Sequence, residues 1–158
     1  RLMDRVRPWL SIGRYNDVIN SAYLRLNGIG AVVQLTESAA EIPNFLSFHL
    51  PVVEGEPVSG ETLQRGIAFL RDQKTRGSHA MVACRSGISR SSIFAIAALK
   101  EEEARDLLSA AYEVILKHPV AMPHPVMWQS LCDYYEEPVP LPRLLLRITE
   151  ARRQNSHA

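Results

Sequence analysis

A chain of 158 residues, of which 46% are hydrophobic, is long enough to bury the core of one domain of ordinary size. Its 18 Lys and Arg nearly balance its 17 Asp and Glu, and the net charge of +1 argues against a nucleic acid or a membrane surface as the main partner. The two cysteines, Cys84 and Cys132, do not make a disulfide framework, and the sequence shows neither a signal peptide nor an apolar run of membrane-spanning length. We therefore expect a globular domain in a reducing cytoplasm.

The first half of the chain predicts elements in the order strand, helix, strand, strand. The helix carries apolar side chains on one face and is stopped by Asn27 and Gly28, which are typical of a C-terminal cap. β-branched and apolar runs indicate the strands, and Trp9 in the first strand is more typical of a core or edge aromatic than of a substrate platform. The four elements cover residues 6–13, 17–26, 31–35 and 45–53.

The second half predicts a helix, a buried strand and then further helices. Ser59 has the position of a helix N-cap. The three carboxylates of residues 101–103 are favourable at a helix N-terminus and unfavourable at a C-terminus, so we expect a new helix to begin there. His79 stands at a strand start, where we expect a surface residue. The elements cover residues 63–76, 79–84, 93–99, 104–115 and 126–136, with one more helix after residue 141.

Strands that alternate with helices imply an α/β fold, in which a central, mostly parallel sheet is covered by helices on both faces. Ligands of such folds bind at the carboxyl ends of the strands. The loop after residue 83 follows a buried strand, so it lies at that edge and is the expected site.

This loop reads Cys84-Arg85-Ser86-Gly87-Ile88-Ser89-Arg90, and Ser91 follows it. The backbone N–H groups of a small-residue loop converge at the positive end of the helix dipole and form an anion cradle. Thiol pKa values in such settings fall from about 8.5 to roughly 3.5–7.5, which makes Cys84 a candidate nucleophile. Arg90 offers a planar fork of donors to two phosphoryl oxygens, and Gly87 permits the turn. The Ser91 hydroxyl is placed to hydrogen-bond the sulfur and help it leave.

Together these residues describe in-line attack on a phosphate monoester through a phosphocysteine intermediate. Cys84 attacks the phosphorus, while Arg90 and the loop N–H groups bind the phosphoryl oxygens and stabilise the transition state, so that no metal or other cofactor is needed. The candidate substrate-binding residues are Arg85, Ser86, Gly87, Ile88, Ser89 and Arg90.

The pattern Cys-x5-Arg, with Gly87 inside it and Ser91 after it, resembles the signature of the cysteine-dependent protein tyrosine phosphatases. The reading Cys-Arg-Ser-Gly-Ile-Ser-Arg-Ser is most similar to the dual-specificity branch. The resemblance covers residues 6–137 and implies that branch's fold, with phosphotyrosine and phosphoserine/threonine in proteins, or small phosphomonoesters, as substrates. This chain departs from the family pattern at Ala83, because the family usually has His immediately before the nucleophile. This His helps to organise the loop and to lower the thiol pKa, so the difference bears on the rate and the pH optimum.

The resemblance also implies a general acid, which protonates the departing oxygen. In the family this is an Asp on the loop after the strand that corresponds to residues 45–53. Glu54, thirty residues before Cys84, falls at that position and has a longer side chain. Glu56 is the alternative, and both residues can equally be solvated loop carboxylates. His124 stands where the family often has an Asn that supports the loop from behind, although a loop histidine with no role fits the sequence as well.

Two other functions share some of these residues. Rhodanese-type sulfurtransferases can also begin their loop with Cys-Arg-Ser-Gly, but they typically place Arg five residues after the Cys, where this chain has Ser89. A catalytically weak phosphoprotein-binding module is favoured by Ala83 and by Glu54 in place of Asp. The intact Cys84 and Arg90 argue against it, because a pure binding module has no need of a thiol.

Prolines at residues 138–142 predict a boundary between a catalytic domain, residues 1–137, and a tail of residues 138–158 that consists of a Pro-rich link and an amphipathic helix. This helix either docks on the domain or mediates a homodimer or partner contact. Contact with a membrane is less favoured, because the apolar face is only about two turns long. His118 and His124 lack a paired carboxylate in the sequence and do not predict a metal site.

Overall fold

A five-stranded sheet forms the centre of the computed structural model, which describes residues 3–156. Its strands are Asp4–Arg7 (β1), Leu10–Arg14 (β2), Ala31–Gln34 (β3), Leu46–His49 (β4) and Ala80–Cys84 (β5). They lie in the order β1-β2-β5-β3-β4, and all neighbouring pairs are parallel except the antiparallel pair β1–β2. The mostly parallel sheet flanked by helices confirms the predicted α/β class.

Helices cover both faces of the sheet. In the described part of the chain they are Tyr15–Val18 (α1), Ser21–Leu26 (α2), Gly60–Thr75 (α3), Arg90–Glu103 (α4), Leu107–Lys117 (α5), Pro125–Tyr135 (α6) and Leu141–Ser156 (α7). Side chains of α3 to α7 build the main core on one face. α1 and α2 contribute to a smaller apolar cluster on the other.

The strand β5 shows why both faces are apolar. Its side chains alternate, so that Ala80, Val82 and Cys84 join the main core while Met81 and Ala83 join the smaller cluster. All five residues are buried. The sequence of a central parallel strand is therefore a continuous apolar run. The apolar clusters on both faces of the sheet fix the strand that leads into the loop.

The N-terminal segment predicted as one strand is a hairpin. Pro8 and Trp9 form the turn between β1 and β2. Pro8 has no N–H to give to a ladder, so the strand is interrupted there. The Trp9 side chain is buried in the main core.

The predicted helix over residues 17–26 is two short helices, α1 and α2. Asn20 separates them because its side chain caps α2, accepting a hydrogen bond from the Tyr23 N–H at 3.0 Å. Ile19 and Leu26, which we assigned to the apolar face, are 56% and 86% exposed. The strand predicted over residues 45–53 is shorter in the structure, where β4 covers Leu46–His49.

The helix predicted to begin at residues 101–103 does not begin there. These carboxylates form the last turn of α4, where the helix dipole disfavours them. Cationic side chains from other elements compensate for the dipole: Arg7 Nε lies 2.7 Å from Glu103, and Arg71 Nε lies 2.9 Å from Glu102. The hydrogen bond from Arg7 lowers the pKa of Glu103 to about 2. The prediction failed because the compensating charges are distant in sequence.

His79 is buried, contrary to the surface position that we expected. Its side chain is 8% exposed, and its Nε2 lies 2.7 Å from the Ser11 hydroxyl of the neighbouring strand. Burial, together with the positive charge of Arg5, lowers the pKa of His79 to about 4. A neutral imidazole therefore lies at the amino end of the central strand β5.

The C-terminal helix α7 packs on α5 with its apolar face. Leu144, Ile148 and Ala151 of this face are buried in the main core. Across residues 3–156, no helix combines the length and the apolar character needed to cross a membrane.

Candidate active site

The candidate site is built on the loop between β5 and α4. β5 ends at Cys84, as predicted, and α4 begins at Arg90, before the helix that was predicted over residues 93–99. Gly87 in this loop has a φ of +72°, and a Cβ on it would lie 3.0 Å from the Gly13 carbonyl oxygen. Because neither the backbone conformation nor the space suits a side chain, glycine is required at this turn.

Cys84 lies at the base of the loop, 1% exposed. Its Sγ is 3.2 Å from the hydroxyl of Ser91, which is itself fully buried in the first turn of α4. This distance is short enough for the Ser91 hydroxyl to donate a hydrogen bond to a thiolate. The geometry brings together the two residues that the sequence predicted as nucleophile and leaving-group partner.

Ser89 is the N-cap residue of α4, but its hydroxyl does not cap the helix. It donates instead to Glu54 Oε1 at 2.9 Å and accepts from the His124 backbone N–H at 2.9 Å. The first N–H groups of a helix have no partner within it, and here the cap hydroxyl does not occupy them. These donors, at the positive end of α4, remain available to an anion.

Arg90 is held between the loop and the segment after β4. Its side chain is 12% exposed, and one terminal nitrogen donates to the Val52 carbonyl oxygen at 3.0 Å. The buried Arg90 Nε makes no hydrogen bond to any residue in the described part of the chain, and it lies 3.9 Å from Glu54 Oε2. The guanidinium therefore keeps donors for a phosphoryl group.

Of the two candidate acids, Glu54 is the one that reaches the loop. Its carboxylate meets both Ser89 and Arg90 while its side chain stays 44% exposed. The Glu56 side chain is exposed and forms no hydrogen bond or ion pair within residues 3–156. Both side chains are exposed, and contact with Ser89 and Arg90 is what distinguishes Glu54 from Glu56.

A cavity of about 420 Å³ opens beside the loop. Arg85 at its rim is exposed, and its guanidinium carbon lies 5.8 Å from the centre of the Tyr15 ring, within range of a cation–π contact. Ser86 and Ile88 are also exposed. The residues lining the cavity are Tyr15, Thr36, Glu37, Ser38, Val53, Glu54, Arg85 and Arg90.

His118 supports the loop from behind, a contact that sequence reasoning missed. Its side chain is 5% exposed; Nε2 contacts the Gly87 carbonyl oxygen, and Nδ1 lies 2.7 Å from Asp4 Oδ2. The sequence shows His118 only as the end of an amphipathic helix. A histidine directly before a proline gives no local signal for a partner 31 residues away.

His124, which we considered for this support, contributes differently. Its backbone N–H donates to Ser89, while its side chain caps α6 by accepting from the Val126 N–H at 3.1 Å. Ala83, at the position where the family usually has His, is 2% exposed in the smaller apolar cluster with Val32 and Met81.

The second cysteine lies in another environment. Cys132 is buried in α6, and its thiol is 3.6 Å from the Val139 carbonyl oxygen. Burial raises the pKa of the Cys132 thiol. Both cysteines are free, and within residues 3–156 no group of three or more His, Cys, Asp or Glu comes together to hold a metal ion.

Comparison with curated proteins finds two dual specificity phosphatases. No family model matches the chain. Human dual specificity protein phosphatase 16 is 29% identical over 135 residues, which cover 82% of this chain and 20% of that protein. Zebrafish (Danio rerio) dual specificity protein phosphatase 22-B is 23% identical over 134 residues, covering 84% of this chain and 73% of the relative. The chain thus spans about one fifth of the human relative's length.

Among solved structures, human DUSP28 superposes with a TM-score of 0.78 at 24% identity, over 84% of this chain and 95% of that one. The fold is therefore like that of human DUSP28, with a strand–loop–helix around Cys84 at its centre. Both curated relatives are dual specificity phosphatases, which agrees with the resemblance carried by the sequence motif.

Proposed function

We propose that this protein hydrolyses phosphate monoesters, in particular phosphotyrosine and phosphoserine/threonine of proteins, through a phosphocysteine intermediate. One observation carries the proposal: the Cys84 sulfur lies at the N-terminal end of α4, 3.2 Å from the Ser91 hydroxyl, in a loop that Arg90 closes. The names of the relatives agree with it. A reducing cytoplasm suits a reactive thiol and is part of the proposal.

In the first half-reaction the Cys84 thiolate attacks phosphorus in line with the leaving oxygen. The S–P bond forms as the P–O bond breaks, and Glu54 gives its proton to the departing oxygen. Arg90 and the free N–H groups of the loop bind the three remaining phosphoryl oxygens, where negative charge is concentrated in the transition state. Ser89 holds the Glu54 carboxyl over the loop through the 2.9 Å hydrogen bond.

In the second half-reaction the Glu54 carboxylate takes a proton from water, and the water oxygen attacks phosphorus. The S–P bond breaks and the electron pair returns to sulfur, giving inorganic phosphate and the thiolate. Ser91 stabilises the departing thiolate by donating its O–H to Sγ. The residues thus supply nucleophile, acid, base and charge stabilisation by themselves.

The charges around the cavity bear on the substrate. The loop residues Arg85 and Arg90 and the acidic residues Glu37 and Glu54 line the cavity together, so the two signs balance across it. A single phosphoryl group is bound by Arg90 and the loop, whereas a second phosphate would meet a carboxylate as readily as Arg85. The balance supports a phosphoprotein rather than a polyphosphorylated small molecule as substrate.

The test is hydrolysis of para-nitrophenyl phosphate in EDTA by the intact chain and by Cys84→Ser. We expect turnover that survives EDTA and falls at least about 1,000-fold in the variant, because the serine hydroxyl is a far weaker nucleophile than a thiolate. Turnover that persists in Cys84→Ser would contradict the mechanism.

Two alternatives would give no turnover of para-nitrophenyl phosphate, and two further assays distinguish them. A phosphoprotein-binding module would retain a phosphopeptide with no turnover by the intact chain. A rhodanese-type sulfurtransferase would instead transfer sulfur from thiosulfate to cyanide, again with loss in Cys84→Ser.

A further inference from the structure

A second cavity, of about 360 Å³, lies next to Glu54 and next to Ser89 of the phosphate-binding loop. Its walls are almost wholly apolar, and the helix α7 supplies two of them, Leu141 and Leu145. Met122 of the segment before α6 and Pro125, the first residue of α6, also line the cavity. Leu145 is 41% and Met122 37% exposed, so this apolar surface is open to solvent.

The two cavities share one lining residue, the proposed general acid. Glu54 lines both of them, and its hydrogen-bond partner Ser89 lines the apolar one. A general acid touches the leaving oxygen of the substrate, and that oxygen carries the rest of the substrate molecule. The apolar cavity therefore adjoins the part of the substrate that leaves, not the phosphoryl group.

The position of α7 fixes the shape of this cavity. Ile148 and Ala151 are buried against the domain, and the Arg152 side chain donates to the carbonyl oxygens of Pro119 at 2.7 Å and Ala121 at 3.1 Å. These bonds tie the helix to the segment that leads into Met122. The cavity is a preformed site, not a gap between independently moving parts.

We propose that this cavity, the α7 subsite, binds the apolar side chain of a residue directly beside the phosphorylated residue of a protein substrate. The inference rests on the proposed function, because it places the leaving group at Glu54. A volume of about 360 Å³ is at the small end for ligand sites and suits one large side chain. The substrate class is thus a phosphoprotein with Leu, Ile, Met or Phe next to the phosphorylated position.

The test compares two phosphotyrosine peptides that are identical except for the two residues flanking phosphotyrosine, both Leu in one and both Asn, of similar size, in the other. For the intact chain we expect kcat/KM to be about tenfold higher for the Leu peptide, at the lower end of discrimination by a hydrophobic pocket. In Leu145→Asp we expect this ratio to fall to about one. The rate on the Asn peptide reports whether the variant is folded.

Leu146→Asp is the matched control, because Leu146 is the next residue of α7, is 63% exposed and does not line the cavity. It should keep the tenfold ratio. Equal rates on both peptides by an intact chain that hydrolyses para-nitrophenyl phosphate would overturn the subsite and leave the proposed function standing. Absence of all turnover would overturn the proposed function.

Binding measurements separate the remaining outcomes. With Cys84→Ser and fluorescein-labelled peptides, tighter binding of the Leu peptide supports the subsite even in a chain without turnover, and equal binding contradicts it. If Leu145→Asp, but not Leu146→Asp, instead converts a dimer into a monomer in sedimentation and leaves the peptide ratio unchanged, the cavity is an interface with a second copy, and the proposal is wrong.

Discussion

Glu54 reaches the phosphate-binding loop through Ser89 and Arg90, whereas the Glu56 side chain does not. We expect Glu54→Gln to slow hydrolysis of phenyl phosphate by about 100-fold or more, because a poor leaving group needs the proton. Hydrolysis of para-nitrophenyl phosphate, whose leaving group departs without a proton, should fall far less. Steady-state kcat for the two substrates measures the difference, with Glu56→Gln as the control. If Glu56→Gln gives this pattern and Glu54→Gln does not, the acid lies two residues further along.

The two cysteines offer an internal comparison of reactivity. Cys84 lies in an anion cradle beside Arg90, which attracts an anionic reagent and stabilises a thiolate, while burial raises the pKa of Cys132. Iodoacetate at pH 6 should therefore alkylate Cys84 at least about tenfold faster than Cys132, as measured by mass spectrometry of tryptic peptides. Inorganic phosphate should protect Cys84 only. Equal labelling of both cysteines in the folded protein would show that the loop does not activate the thiol.

At the scale of elements, the loop between β5 and α4 needs a glycine at residue 87 for two reasons, a positive φ and a lack of space for a Cβ. Gly87 and Gly77 share a φ of +72°, but a Cβ on Gly87 meets the Gly13 carbonyl oxygen at 3.0 Å, while a Cβ on Gly77 has nothing within 4 Å. Gly77→Ala should lower the free energy of unfolding by about 1 kcal/mol from backbone strain alone. Gly87→Ala should carry the same strain and should also displace the loop, and this displacement should lower kcat/KM by at least about tenfold.

Urea unfolding and the hydrolysis of para-nitrophenyl phosphate measure the two effects separately. Gly77→Ala supplies the control, because it changes stability without touching the site. Full activity in Gly87→Ala would show that the loop tolerates the shift and that its backbone geometry does not limit catalysis.

The helix α4 shows what element-scale reasoning leaves out. A helix with three carboxylates in its last turn contradicts the dipole rule, yet Arg7 and Arg71 make it stable. Local charge patterns predict helix ends only when the neighbours in space are also neighbours in the sequence. For α4 they are not, and the boundary was predicted wrongly.

At the scale of the whole molecule, His79 couples global stability to pH. Its folded-state pKa of about 4 lies below the ordinary value of 6.5, so the unfolded chain takes up the proton first as pH falls. The stabilisation from the neutral imidazole is complete above about pH 6.5 and is lost progressively toward pH 4. Between pH 7 and pH 5 the free energy of unfolding of the intact chain should fall by about 1–2 kcal/mol more than that of His79→Gln, whose side chain cannot titrate.

Urea unfolding of both proteins at the two pH values measures this difference, and the other titrating groups cancel because they are common to both. An equal decrease in the free energy of unfolding of the two proteins would show that His79 is not the group that makes stability depend on pH. A larger decrease in the free energy of unfolding of His79→Gln would show that folding raises the pKa of His79 instead of lowering it.

The sequence by itself determined the features that consecutive residues carry. The nucleophile, the arginine and the loop N–H groups fall within seven residues, and a buried strand and a buried helix flank them, so the candidate site and the α/β class followed from local patterns. Ser91 also belongs to this local set. The alternation of strands and helices predicted a mostly parallel sheet because crossover connections favour it.

Only the tertiary structure decided which distant residues complete the site. Glu54 meets Ser89 across 35 residues, and His118 reaches Gly87 across 31. The choice between Glu54 and Glu56, the support from His118 and the α7 wall beside the acid all depend on how separate elements pack. No local pattern records such contacts, because chain folding brings them together through burial of the shared core and not through propensities of neighbouring residues.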